Sequence, residues 1–83
     1  MSSLDERFQS AKVFHDWQED ITTALRRGQS EGTVRRDLDA RATASFLIAM
    51  YEGYVMLAKN AHDVNVLKVG IKNIVEWLHS LRA

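Results

Sequence analysis

The stretch Ala40 to Asn60, ARATASFLIAMYEGYVMLAKN, decides the fold. It holds no proline, and its apolar residues recur at a helical spacing rather than alternating as a half-buried strand would. With successive residues about 100° apart, one side collects Ala42, Phe46, Ala49, Met50, Gly53 and Leu57. The opposite side collects Ala44, Leu47, Tyr51, Tyr54, Val55 and Ala58, which leaves only a narrow polar strip around Ser45, Glu52 and Lys59. A helix apolar on nearly all sides must be covered on nearly all sides. Two further helices of an 83-residue chain can cover one face and scarcely both. The other face calls for a second chain or a segment outside this sequence. Ala42, Ala49 and Gly53 add small residues on one stripe, so that a facing helix can approach closely.

Upstream, apolar spacing predicts a helix from about Asp5 to Ser30, with Phe14, Trp17, Ile21, Ala24, Leu25 and Gly28 on its stripe and Val13 at the margin. Asp5, Glu6, Asp16, Glu19 and Asp20 come early and Arg26 and Arg27 late, which suits the helix dipole. Gly28 and Gly32 weaken that helix, and one of them ends it. Glu31 to Asp39 reads as a polar connector whose Val34 and Leu38 fold back onto the core. Asp39 is placed to cap the next helix through its carboxylate, and Asp63, after a short turn with His62, to cap a third.

The third helix, Val64 to Leu81, carries Val64, Leu67, Ile71, Ile74, Leu78 and Leu81 at alternating steps of three and four, the seam of a helical bundle. Val66, Gly70 and Trp77 widen that arc, while Lys68, Lys72, Glu76 and His79 form the wet face. The expected fold is therefore all-α and a single domain over residues 1–83, with three antiparallel helices over about 5–30, 40–60 and 64–81. The last two would pair with those of a second subunit in a four-helix bundle. The expected dimer interface is Ala42, Phe46, Ala49, Gly53, Leu57, Val66, Gly70 and Trp77.

Composition narrows the function. A chain this short buries only about 60–70% of the surface it exposes when unfolded, so a lone monomer would be marginally stable, and the usual remedies are disulfides, a metal or a partner subunit. Cysteine is absent, which excludes disulfides and thiolate-bound zinc. Eleven basic and eleven acidic side chains cancel, leaving no strong field to draw the chain toward nucleic acid or an anionic membrane. Met1 to Phe8 has no apolar run and is not a signal peptide. The longest nearly uncharged stretch, Ala42 to Tyr51, is about half of what a bilayer-spanning helix needs. A soluble, cytoplasmic protein without a membrane partner is expected.

Catalytic chemistry is not indicated. His15, His62 and His79 fall in different elements, and the oxygen-rich run His15, Asp16, Glu19, Asp20 reads as a solvated acidic face rather than a metal site. Serines and threonines lack a partnered base, and no glycine-rich phosphate loop follows a strand. No catalytic residue, metal site or cofactor is predicted. Arg26, Arg27, Arg35 and Arg36 are interleaved with Glu31, Asp37 and Asp39, which favours salt-bridging around the connector over DNA contact. Trp17, Met50, Tyr51, Tyr54 and Met56 are the side chains suited to line a ligand cavity, with adaptable apolar walls and orienting hydroxyls.

Trp17 to Ala24, the run Leu25-Arg26-Arg27-Gly28-Gln29-Ser30-Glu31-Gly32, then Val34-Arg35-Arg36-Asp37-Leu38-Asp39, and Ala44-Ser45-Phe46-Leu47 through Glu52-Gly53 resemble the C-terminal regulatory half of TetR-family transcriptional repressors. The resemblance spans roughly Phe14 to Leu81. It implies an all-α homodimer whose last two long helices form an intersubunit four-helix bundle. It also implies a cavity for a small apolar effector, with Trp17 and Ile21 on a helix that lines it. With Met50, Tyr51 and Tyr54 these complete the expected pocket wall. Operator DNA would be reached only through an N-terminal helix–turn–helix domain that this sequence lacks, so it is expected to be a fragment of a longer regulator or a short relative. In the whole regulator, inducer would favour a dimer whose reading heads are wrongly spaced for adjacent major grooves. The alternative is a stand-alone helical protein–protein interaction module; an enzyme is not expected.

Overall fold

The computed structural model describes the backbone from residue 3 and side chains from residue 11. It contains three α-helices, α1 (Ser3–Glu31), α2 (Ala40–Ala61) and α3 (Val64–His79), and among the described residues no strand beyond one isolated bridge. The expected action of Asp5 and Glu6 on the helix dipole lies outside the described side chains. Arg26 and Arg27, expected late in the helix, lie one turn before its end, and the last turn itself holds no basic residue.

The helix boundaries follow from local chemistry. Gly32 adopts φ 81°, a left-handed conformation that costs glycine little, and ends α1. Gly28 does not end α1; it lies buried within the helix, and Val34 packs so closely on it that a Cβ there would overlap the valine. Gln29 holds the connector by donating to the carbonyls of Arg35 and Leu38, each at 3.0 Å. Arg35 pairs in two-pronged fashion with Asp37, and Arg36 donates to the Gln29 carbonyl, so this pair of arginines is engaged in organising the connector. Asp39 caps α2 by accepting from the Ala42 amide at 3.0 Å, and Asp63 caps α3 by accepting from the Asn65 amide at 2.9 Å.

Between α2 and α3 the chain turns in two residues. His62 sits in the left-handed region, φ 51°, and donates its amide to the Lys59 carbonyl, while Asp63 donates to Ala58. This is the paired terminal hydrogen bonding that glycine usually completes. Helix α3 stops at His79, two residues short of the expected Leu81, because Ser80 folds its hydroxyl back onto the Trp77 carbonyl. The tail then leaves the helix axis and pairs with the connector. Arg35 donates to the Leu81 carbonyl at 2.8 Å, Ala83 donates to Thr33 at 3.1 Å, and Val34 bridges Arg82 antiparallel.

Helix α2 lies between α1 and α3, packing on both, while among the described residues α1 and α3 do not pack on each other. The result is a single layer of helices, 44 × 30 × 13 Å. Its radius of gyration is 15.0 Å, against about 12 Å for a compact chain of this length. Helices joined antiparallel by short connections were expected; a flat slab rather than a closed bundle is the structural outcome. Thr22, 1% exposed, is the largest side chain fully covered among the described residues, and the buried apolar side chains are Ala40, Ala44 and Ile74. No helix is long and apolar enough to cross a membrane among the described residues.

Candidate functional site: two apolar faces of one helical layer

A one-layer protein has two faces, and helix handedness with the antiparallel order assigns each residue to one of them. Helix α2 meets α1 through Ser45, which accepts from Gln18, and through Arg41, which pairs with Glu19. It meets α3 through Phe46, whose ring centroid lies 5.3 Å from that of Trp77, and through Tyr54. One face of α2 carries Ala42, Phe46, Ala49, Gly53 and Leu57, all exposed, with Phe46 at its α3 edge beside Trp77. Phe46 is 53% exposed and Leu57 56%, although each is the kind of side chain that folding normally hides. A Cβ added to Gly53 would meet no atom of the chain, so nothing in this fold itself requires a glycine there.

On the same face α3 contributes Trp77 and Val66, both half-buried, and the exposed Val69. Helix α1 instead turns Lys12, Glu19 and Thr23 that way, so among the described residues the apolar surface of this face comes from α2 and α3. The Arg41 guanidinium, hydrogen-bonded to Glu19, holds the carboxyl of Glu19 below the usual carboxylate range. Gly70, expected at the interface, is buried under the Tyr54 ring of its own chain. The Tyr54 hydroxyl accepts from Asn73 at 3.3 Å. Tyr54, expected on a pocket wall, thus sits in the α2–α3 seam, with Met50 half-buried on the Phe46 side of α2.

The opposite face is apolar across all three helices. Tyr51 lies about 140° around α2 from Phe46. On α1, Trp17 and Phe14 stack edge to face with centroids 5.8 Å apart, and both are exposed, with half-buried Ile21 one turn further on. On α3, Ile71, Val75 and Leu78 turn to this side, between 37% and 47% exposed. The expected bundle seam of α3 is therefore split. Ile74 is buried within the chain, Leu67 and Leu81 are half-buried, and Val64, Ile71 and Leu78 point to the second face. Val75 was not picked out from the sequence, although its position four residues after Ile71 is the signal that places it there.

Trp17, Ile21 and Tyr51 thus share a side, and Met50 and Tyr54 do not join them. Two open grooves also mark the surface. One runs between α1 and α2 past Phe14, His15, Gln18 and Ala49, and the other lies at the α2–α3 turn beside Tyr54, Asp63 and Val66. No cluster of three or more metal-ligating side chains occurs among the described residues.

Comparison with curated proteins and with solved structures gives no match. The family model described as the tetracyclin repressor-like C-terminal domain matches residues 6–74. That span takes in most of α1, all of α2 and α3 through the buried Ile74, and the chain belongs to this family of C-terminal domains of TetR-like regulators.

Proposed function

We propose that the chain is the dimerisation and effector-sensing part of a TetR-like transcriptional regulator. In this reading α2 and α3 pair with their copies across a two-fold axis to form a four-helix bundle. The observation that carries it is the bare stripe Ala42, Phe46, Ala49, Gly53 and Leu57, flanked by Trp77 on one side and by the polar edge of α1 on the other. Two helices per subunit are what a four-helix bundle takes, and the third keeps its charges out of the seam.

Area supports the reading. The chain exposes 6225 Å², whereas a compact monomer of 9.5 kDa exposes about 5,000 Å². The difference, roughly 1,200 Å², exceeds the approximately 800 Å² that each partner buries in an interface of standard size. A large side chain such as Phe46 or Leu57 taken from half-exposed to covered stabilises by about 1 kcal/mol.

The second face, with Trp17, Ile21 and Tyr51, supplies an apolar wall against which a small, uncharged effector would lie, the phenol of Tyr51 orienting it. Operator DNA enters only through reading heads outside this chain. Effector binding would then act by shifting the population of dimers between head spacings.

Sedimentation equilibrium of the 83-residue chain from nanomolar to high micromolar concentration tests the association. A dimer at micromolar concentration is expected. A monomer throughout that range would remove the reading.

A further inference from the structure

We propose that the tail after α3 is a mechanical latch, which carries displacement of α1 to Trp77 at the dimer face by way of the connector. The inference rests on the dimer reading above for its functional meaning, but the latch itself is a property of the single chain. Among the described residues α1 and α3 do not pack on each other, so there α1 reaches α3 through α2 or through the join between connector and tail.

That join is continuous. Gly28 of α1 lies under Val34 with no room for a Cβ. Val34 bridges Arg82, and the next amide, that of Arg35, donates to the Leu81 carbonyl at 2.8 Å. Ser80, adjoining Leu81, gives both its amide, at 3.0 Å, and its hydroxyl to the Trp77 carbonyl. Trp77 packs against Phe46 with its ring tilted by 57°. Backbone hydrogen bonds and a glycine contact form a stiffer path than exposed side-chain pairs, because few of its parts have rotamers to absorb a shift. A displacement of α1 that moves Gly28 therefore moves the last turn of α3. Gln29, which bonds the carbonyls of Arg35 and Leu38, makes the connector follow α1 as one piece.

The test is a cycle of Gly28→Ala with a chain ending at Ser80. The added methyl displaces Val34, so the indole N–H resonance of Trp77 should shift in the full chain (Trp17→Phe assigns the two indoles) and stay in place in the shortened one. The dimer dissociation constant should change by about fivefold or more with Gly28→Ala in the full chain and be insensitive in the shortened one. Val34→Ala, which relieves crowding rather than adding it, gives the same comparison if Gly28→Ala does not fold. Equal indole shifts in both chain lengths, or none in either, would overturn the latch by showing that coupling runs through α2 or is absent. Failure to dimerise removes the functional reading while the indole shifts still decide the latch.

Discussion

Gly53 separates a dimer face from a merely exposed helix by sign. In an isolated chain the position is open, so Gly53→Leu replaces the least favourable ordinary helix residue with a good one whose Cβ has free space around it. That stabilises α2 by about 0.8 kcal/mol. If a second α2 or α3 lies against the stripe, the same leucine enters a seam shaped by Ala42, Ala49 and Gly53, and overpacking costs about 1–3 kcal/mol at each site. Two-fold symmetry puts two copies in the seam, for about 2–6 kcal/mol per dimer. The propensity gain is present in monomer and dimer alike and drops out of the association equilibrium. The dissociation constant should therefore rise by at least about thirtyfold. Sedimentation equilibrium gives that constant, and circular dichroism at low concentration gives the helicity of the free chain. Tighter or unchanged association together with raised helicity would refute the reasoning, since it would mean that no partner touches Gly53.

The remaining expectations concern the chain itself. His62→Gly removes the left-handed strain at φ 51° and should stabilise by about 0.5–1 kcal/mol, seen as a rise in thermal midpoint of a few degrees at fixed protein concentration. Asp39→Ala leaves the Ala42 amide without its carboxylate acceptor and should destabilise by about 1 kcal/mol, read from the midpoint of urea unfolding. Glu19 and Asp37 are held below the ordinary carboxylate range by hydrogen bonds from Arg41 and Arg35. Their contribution is present above the unfolded-state carboxylate pKa and lost as pH falls through the lower folded value. Stability should therefore fall on acidification below the ordinary carboxylate range, less so in 0.5 M salt or in Arg41→Ala, because both pairs are solvent-exposed. An unchanged acid limb in Arg41→Ala would remove Glu19 from the account.

Much of the local structure was legible because it is set within a few residues. Asp39 and Asp63 announced their caps, Gly28 and Gly32 that one of the two would stop α1 though not which, and the apolar spacing the three helices. The bare stripe on α2 was legible too, since too few residues surround it to hide it. What the sequence did not show depends on contacts between distant segments. Tyr54 fills the notch at Gly70, a pairing across α2 and α3 that spacing along either helix cannot reveal. The seam of α3 reads as one stripe, yet the slab divides it, because α2 packs against Gly70 and Ile74 and leaves Ile71, Val75 and Leu78 to the far side. The tail's pairing with the connector has no signature at all: backbone amides carry it, and every residue has those.

That a threonine is the largest side chain fully covered among the described residues has a consequence for the life of the molecule. A solitary copy has little to hold it shut, so its opening is frequent and each opening invites a protease. Copies paired as proposed would be withdrawn from that traffic by mass action. The standing amount of intact protein should therefore rise more steeply than its rate of synthesis, and dilution at cell division should remove it faster than dilution alone predicts.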